Sequence, residues 1–268
     1  MLAEERYHRI LELLRKERAV KVAPLAELFG VSAETIRRDL DYLEREGCLK
    51  KVYGGAVLEQ VDAGAPQFRE RERQFQENKL EAAELVCQFV REGDSIALDA
   101  GTTSLAIARV LKRQYGRLTI FTHSIAVVNE LLDKPSFTVV LAGGVVHPEE
   151  VSTVGASCLE QLRQYHVNWY FLTPSGVSLH AGITSGITSC GFEDVEVQRT
   201  MADIAGRTIV LCSSSCFDKV CLLKVCDLIR AECILTDSRL PGEVRKKYEA
   251  AGVAVITPGG ESRARELR

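Results

Sequence analysis

The sequence lacks three features, each of which would assign it to a class of protein. It has no run of about 18 apolar residues and no apolar core of a signal peptide near Met1, so we expect a cytoplasmic protein that does not enter a membrane. Its nine cysteines include no Cys-x-x-Cys pair, even between Cys212 and Cys233, which favours free thiols over a zinc site. It has no surplus of positive charge, with 34 basic and 37 acidic residues. That balance argues against a protein that coats nucleic acid through bulk charge.

The composition that is present, 46% hydrophobic and 26% charged over 268 residues, fits a globular chain with two domains. We predict a first domain at residues 1–57, a linker and connecting helix at 58–79, and a second domain at 80–268. The linker is predicted because residues 61–66 are small and turn-prone, whereas residues 68–74 alternate in charge.

The most informative stretch of the first domain is residues 31–47. Four apolar residues recur at helical spacing and predict one buried stripe: Ala33, Ile36, Leu40 and Leu43. Ser32 can cap this helix and Gly47 can end it. Thr35, Arg37 and Arg38 then project from its first turns, as side chains that read base edges do.

Surface ion pairing is the alternative interpretation, since Glu34 and Arg38 are four residues apart. The neighbouring sequence favours DNA binding. Residues 5–17 predict a supporting helix, residues 24–29 a short helix with Pro24 at its first position, and residues 30–32 a turn. Residues 49–58 contain two β-prone runs around a Gly-Gly turn, which predicts a wing that directs Lys50 and Lys51 towards phosphates.

These residues resemble the DeoR family of bacterial transcriptional regulators. The resemblance is carried by Val31-Ser32-x-x-Thr35-Ile36-Arg37-Arg38-Asp39-Leu40, by Leu43-Glu44 and by Tyr53-Gly54-Gly55-Ala56, and it extends over nearly the whole chain. The predicted DNA-binding residues are Ser32, Thr35, Arg37, Arg38, Lys50, Lys51 and Tyr53. The expected partner is a double-stranded DNA operator, bound by a homo-oligomer because one recognition helix covers only a half-site.

The second domain alternates apolar strands with helical segments, which predicts an α/β fold with a mainly parallel sheet. The predicted strands are residues 95–98, 118–121, 137–141, 168–172, 208–211, 233–235 and 253–256. The predicted helices are residues 80–90, 104–114, 125–132, 156–164, 192–204 and 242–250. The family resemblance implies a fold similar to that of ribose-5-phosphate isomerase and an effector that is a phosphorylated sugar or a related metabolite.

Ligands of such sheets bind where the strands end and helix N-termini offer free amides. The first strand ends in Asp99-Ala100-Gly101-Thr102-Thr103-Ser104, which could hold a phosphate or could simply cap a helix. Further polar turns follow the neighbouring strands. The predicted effector-binding residues are Asp99, Gly101, Thr102, Thr103, Thr122, Gly143, Gly144, Gly176 and Lys219.

The chain departs from the family pattern at five positions of this edge: His123 replaces Asn, His147 stands where arginine is common, Ser175 and Ser213 each replace an acid, and Cys216 replaces a lysine. Lys219 could partly replace that lysine. Three acidic residues of the next helix are expected to face solvent: Glu193, Asp194 and Glu196. The repeated Gly-Ile-Thr-Ser at residues 182–189 reads as a loop that could also cover a ligand.

The sequence therefore predicts a transcriptional regulator, in the first instance a repressor of carbohydrate or related metabolism. No catalytic residue, metal or cofactor is predicted. Two alternatives stay open. One is a sugar-phosphate isomerase with an added DNA-binding unit, against which the loss of the acid at Ser175 counts. The other is a DNA-binding protein whose second domain serves only for assembly.

Overall fold

The structure is a computed structural model that describes residues 6–7, 9–10, 13–14, 19–45, 49–57, 68–185 and 191–259. The predicted helix end at Gly47, the predicted linker at residues 61–66 and residues 186–189 of the repeated loop lie outside the described residues. The chain forms two compact units, Met1–Gln76 and Glu77–Arg268. Within the described residues, no helix is long and apolar enough to cross a bilayer.

The first unit is a helix-turn-helix with a wing, as predicted. Its described helical residues begin with Arg6, Tyr7, Arg9, Ile10, Leu13 and Leu14. Helix α1 (Val22–Phe29) and helix α2 (Ala33–Arg45) follow. The wing is an antiparallel sheet of β1 (Ala19–Lys21), β3 (Gly55–Val57) and β2 (Lys50–Val52), in that spatial order. The predicted stripe is buried, since Ile36, Leu40 and Leu43 are fully inaccessible.

Two local expectations for the first unit are corrected. Pro24 is the third residue of α1, not its first, and it is tolerated there because the first amides of a helix have no intrahelical acceptor. Strand β1 was not predicted. It pairs with β3 in antiparallel orientation, and a Cβ on Gly55 would lie 2.0 Å from the carbonyl oxygen of Val20. The second glycine of the Gly-Gly turn is therefore required by strand packing.

The second unit is built on a parallel sheet of seven strands: β4 (Ser95–Leu98), β5 (Thr119–Thr122), β6 (Thr138–Leu141), β9 (Val167–Leu172), β12 (Ala205–Leu211), β14 (Ala231–Leu235) and β15 (Val255–Ile256). Their spatial order is β15-β14-β12-β9-β4-β5-β6. All seven correspond to predicted strands. The chain runs outward from β4 in one direction and from β9 in the other, so the strand order switches between these two neighbours. Such a switch point is where α/β sheets bind ligands.

Both faces of this sheet are buried, as its nearly continuous apolar strands require. The helices that follow α2 are α3 (Phe68–Arg73), α4 (Gln76–Glu84), α5 (Thr102–Gln114), α6 (Ile125–Leu131), α7 (Ala156–Leu162), α8 (Gly191–Ile204) and α9 (Gly242–Ala250). One core joins Ile96, Leu98 and Phe171 to α4, α5 and α6, and the other joins Ala97, Tyr170 and Leu172 to α7, α8 and α9. A 3₁₀ helix, Leu85–Gln88, continues α4 where one longer α-helix was predicted.

Two small antiparallel sheets were not predicted. One is the hairpin of β7 (Val145–His147) and β8 (Ser152–Val154). The other joins β10 (Gly176–Ser178), β11 (Gly182–Ser185) and β13 (Leu223–Cys226). Both sheets follow loops at the carboxyl ends of the main strands, so they add walls to the edge at which a ligand is expected.

Candidate functional site

The first turns of α2 present the polar face that the sequence predicted. The Ser32 hydroxyl accepts a hydrogen bond from the Thr35 amide at 3.1 Å, so Ser32 caps the helix. The side chains of Arg37 and Arg38 are 60% and 80% exposed. Both guanidinium groups approach Glu34, at 3.4 Å for Arg37 and 3.6 Å for Arg38, and the second of these contacts is the ion pair that was predicted as the alternative. Exposed pairs of this kind are worth about 0–1 kcal/mol, so they leave both arginines available to DNA.

The wing is tied to α2 through Lys51. Its ammonium group pairs with the carboxylate of Asp41, and its amide donates to the Glu44 carboxylate at 2.7 Å. Lys51 therefore braces the wing against the helix in addition to any contact with phosphate. Tyr53 at the wing tip is fully exposed. Lys50 lies on β2, but its side chain is outside the described part of the chain.

A buried ion pair holds α2 against the first helical segment, and the sequence did not predict it. The guanidinium of Arg6 donates from two nitrogens to the carboxylate of Asp39, at 2.8 and 3.0 Å. The two side chains are only 10% and 5% exposed. The hydrogen bond to Asp39 raises the pKa of Arg6 above its ordinary value. Asp39 thus faces the interior of the first unit and fixes the orientation of α2.

At the carboxyl edge of the sheet, the turn after β4 is organised by Asp99. Its buried carboxylate accepts five hydrogen bonds: from the Ser104 hydroxyl, the Tyr170 hydroxyl, the Thr173 amide and hydroxyl, and the Gln198 amide group. These donors come from α5, β9, the turn after β9 and α8, so Asp99 links the elements on both sides of the switch point. Its oxygens are occupied by the protein itself, and the proposed contact of Asp99 with an effector stays a prediction.

Helix α5 starts at this turn without a side-chain cap. Its N-cap is Gly101, whose φ of 132° lies in the region that favours glycine. The first intrahelical bond runs from the Leu105 amide to the Gly101 carbonyl, so the amides before Leu105 have no acceptor within the helix. Thr102 and Thr103 are half-buried at this end. The arrangement offers an anion free amides, hydroxyls and the positive end of a helix dipole.

His123, which stands where the family pattern has Asn, fixes the same turn from the other side. Its Nε2 accepts a hydrogen bond from the Ala100 amide at 2.9 Å, and its Nδ1–H donates to the Thr153 carbonyl at 2.9 Å. Burial lowers the pKa of His123, against the opposing influence of Asp99. A neutral ring with one acceptor and one donor is what these two partners require. His123 is thus a structural replacement that holds the turn beside Gly101.

Four other predicted effector residues have close contacts within the protein. Thr122 is fully buried and accepts from the Ser124 amide at 3.0 Å, and the Gly143 amide donates to Gln161 at 3.0 Å. A Cβ on Gly144 would lie 2.3 Å from the Val154 carbonyl oxygen, and one on Gly176 would lie 2.5 Å from that of Lys219. Lys219 is exposed. The contact of these residues with an effector stays a prediction.

Cys216, at the position of the missing lysine, faces the turn that contains Ser175. Its Sγ lies 3.9 Å from the Pro174 carbonyl oxygen and 3.6 Å from the Ser213 hydroxyl. A hydrogen bond from Cys212 lowers the pKa of Cys216 to about 7, and the same contact with burial raises the pKa of Cys212. Among the described residues, no three His, Cys, Asp or Glu side chains are placed to hold a metal ion.

Asp194 is the functional candidate that the sequence placed wrongly. Glu193 and Glu196 are exposed as expected, but Asp194 points inward from α8, with its Oδ2 3.7 Å from Nδ1 of buried His147. Burial, followed by the charge of Glu150, raises the pKa of Asp194 to about 6. A signal for this was present in the sequence, since Asp194, Val197 and Gln198 share one face of a helix.

A cavity of about 580 Å³ opens at the opposite, amino-terminal edge of the sheet. Its lining includes Asp94, Trp169 and Arg207. These groups contact one another, because the Trp169 ring N–H donates to Asp94 at 3.2 Å and the Arg207 guanidinium lies over the Trp169 ring. The cavity is therefore distant from the carboxyl edge, where helix amides and inward polar groups converge.

Comparisons with known proteins agree with this architecture. Residues 6–61 match the model of the DeoR-like helix-turn-helix domain, and residues 74–238 match that of the DeoR C terminal sensor domain. The chain belongs to the DeoR family. It is 31% identical to the HTH-type transcriptional repressor GlcR of Bacillus subtilis (strain 168), over 91% of each chain. This DeoR-family chain is also 25% identical to the glycerol-3-phosphate regulon repressor of Escherichia coli (strain K12), over 91% of its length and 94% of that protein.

Among solved structures, the chain is similar to ribose 5-phosphate isomerase A from Methanocaldococcus jannaschii. The two share 16% sequence identity with a TM-score of 0.39, over 53% of this chain and 54% of the isomerase. The family match, together with the winged helix-turn-helix and the parallel α/β domain, identifies a DNA-binding transcriptional regulator.

Proposed function

We propose that this DeoR-family protein is a cytoplasmic repressor of carbohydrate or related metabolism whose binding to an operator is controlled by a phosphorylated small molecule. The proposal assigns operator binding to residues 1–57, connection to residues 58–79, and effector binding with self-association to residues 80–268. Relatives named as repressors support it, including one named for glycerol 3-phosphate.

The observation that carries the effector proposal is the uncapped start of α5. Gly101 has no side chain to satisfy the first amides, and the nearby Ser104 and Thr173 hydroxyls are engaged by Asp99. A phosphate at this position would accept from those amides and from Thr102 and Thr103. The retained helix end explains how a pocket without the lysine now replaced by Cys216 could still bind an anion.

Thermal unfolding with and without sugar phosphates tests this proposal. A ligand at 100 times its dissociation constant should stabilise the protein by about 2.7 kcal/mol. Thr102→Asp should remove that stabilisation because it places a negative charge at the anion position. Gln114→Asp is the matched control, since it adds the same charge at the exposed far end of α5 and should leave the stabilisation intact. Stabilisation that survives Thr102→Asp would show that phosphate binds elsewhere.

One observation favours a second candidate function. Asp194 is an inward carboxylate whose pKa is about 6, a value suited to a general base in an isomerase. We propose that it does not catalyse turnover, because Ser175 replaces the acid that the isomerase interpretation most needs. Incubation with ribose 5-phosphate tests this: turnover that Asp194→Asn abolishes would establish an enzyme, and the absence of turnover supports a sensor.

A further inference from the structure

A second polar group lies next to the start of α5. We call it the inner cluster, and it consists of His147, Ser152, Asp194 and Gln198. His147 and Ser152 face each other across the β7–β8 hairpin, while Asp194 and Gln198 are one turn apart on α8. The Gln198 side-chain amide donates to Asp99 at 3.1 Å, so the cluster is joined directly to the turn that carries Gly101.

The inner cluster contains polar atoms without hydrogen-bond partners. Within the cluster, five atoms have no hydrogen-bond partner among the residues that the structure describes: both ring nitrogens of His147, Oγ of Ser152, Oδ1 of Asp194 and Oε1 of Gln198. His147 and Gln198 are 7% exposed and Ser152 is fully buried. Buried polar atoms are almost always paired, because leaving one unpaired destabilises the fold. Several unpaired atoms that face one another therefore indicate a place where a ligand supplies the partners.

Asp99, which accepts a hydrogen bond from Gln198 of the cluster, shows the contrast. Its carboxylate receives five donors from the protein, whereas Asp194 keeps one oxygen without a donor. Two carboxylates at the same sheet edge thus have opposite environments. Asp99 holds the surrounding elements together, whereas Oδ1 of Asp194 has no hydrogen-bond donor among the described residues.

The charges around the cluster define which ligand could meet that requirement. The groups that act most strongly on Asp194 are the carboxylates of Glu150, Asp99 and Glu193 and the imidazole of His147. A second anionic group would be repelled there. Hydroxyl groups fit, because they donate to Asp194 and Gln198 and exchange hydrogen bonds with the imidazole and with the Ser152 hydroxyl.

We propose that the inner cluster binds the hydroxyl groups of a sugar monophosphate and excludes a second phosphate, so that it sets the effector selectivity of the pocket. The inference rests on the proposed phosphate position at Gly101–Thr103. It assigns the recognition of the sugar to His147, Asp194 and Gln198, in place of the substituted positions Ser175 and Cys216.

Thermal unfolding of the full chain with three probes tests the selectivity. Fructose 6-phosphate should raise the Tm of the wild type, and inorganic phosphate should raise it at higher concentration. Fructose 1,6-bisphosphate should bind at least about tenfold more weakly than the monophosphate, a difference of about 1.4 kcal/mol. Asp194→Asn and His147→Phe should each weaken the binding of fructose 6-phosphate at least about tenfold. Both variants should show the same Tm shift with inorganic phosphate as the wild type. Equal binding of the two fructose phosphates by all three proteins would overturn the inference and leave the phosphate position standing.

The ligand-free proteins supply an independent test. Asp194→Asn removes a charge that burial disfavours, and His147→Phe removes a buried group without hydrogen-bond partners, so both variants should keep the Tm within about 2 °C of the wild type or raise it. Asp99→Asn is the matched control and should lower the Tm, because an NH2 donor then replaces one of the two oxygens that accept hydrogen bonds from five donors. If Asp194→Asn lowers the Tm as much as Asp99→Asn, the cluster is structural and the inference is wrong.

A third outcome separates this inference from the proposed function. Free fructose could raise the Tm in an Asp194-dependent way while no phosphate compound acts through Thr102. That result would refute the proposed phosphate-binding site at the start of α5 and would support the inner cluster as the sugar-binding site.

Discussion

Breaking the buried ion pair of Arg6 and Asp39 should destabilise the DNA-binding unit without changing any residue that is predicted to contact DNA. Asp39→Ala removes the carboxylate that accepts two hydrogen bonds, of 2.8 and 3.0 Å, from the buried guanidinium of Arg6; the two side chains are 10% (Arg6) and 5% (Asp39) exposed. Removing one partner of a buried pair costs about 3–5 kcal/mol. For a unit of this size each kcal/mol lowers the Tm by about 4–8 °C, so the expected fall is at least about 12 °C.

Differential scanning calorimetry of the full chain provides the measurement. The transition of the first unit should fall and that of the second unit should stay in place, because the two units have separate hydrophobic cores. Glu34→Ala is the control, since it removes an exposed carboxylate from the same helix and should change the stability by less than about 1 kcal/mol. The double substitution Arg6→Met with Asp39→Leu should recover most of the loss, because no buried charge is left. An Asp39→Ala transition within about 2 °C of the wild type would refute the role given to this pair.

Three further predictions concern DNA and pH. Arg38→Ala should keep the fold and lose about 1–3 kcal/mol of discrimination between operator and unrelated DNA, measured by fluorescence anisotropy. An unchanged preference for the operator would exclude a contact between this side chain and a base. Lys51→Ala should weaken binding to all sequences alike and lower the salt dependence; an unchanged salt slope would show that Lys51 only braces the wing through Asp41. Because the pKa of Asp194 is raised from 3.8 to about 6, its protonated form favours the folded state, and stability from this group is lost as the pH rises from about 4 to 7. Urea titrations at about pH 4 and 7 measure the free energy of unfolding, and Asp194→Asn should reduce its fall between these pH values by up to about 3 kcal/mol. A pH profile identical to that of the wild type would contradict the burial of Asp194.

The main elements could be predicted because their signals are local. The apolar runs gave all seven strands of the parallel sheet, and the helical spacing of Ile36, Leu40 and Leu43 gave the buried side of the recognition helix. Ser32 was recognised as a cap because its partner lies three residues away. In each case the residues that interact are close in sequence, or the pattern repeats along one element.

What the sequence did not show depends on distant partners. Arg6 and Asp39 are 33 residues apart, so no local spacing relates the guanidinium to its carboxylate partner. The helical spacing of Asp194 and Val197 indicated only a shared face; the partner of Asp194, His147, lies on the β7–β8 hairpin, whose three-residue strands are too short to produce a clear periodicity. The residues of the inner cluster come from different elements, so no local spacing relates His147 to Asp194 or Gln198.

The measurement that tests the central claim most directly is the affinity of the full chain for its operator with and without a sugar monophosphate. We expect a saturating ligand to change the dissociation constant of the wild-type complex with DNA at least about tenfold, a coupling of about 1.4 kcal/mol. Thr102→Asp should bind the operator with the affinity of the ligand-free wild type and show no response. Operator binding that is identical with and without every sugar phosphate in the wild type, or a full response in Thr102→Asp, would contradict control of DNA binding through the start of α5.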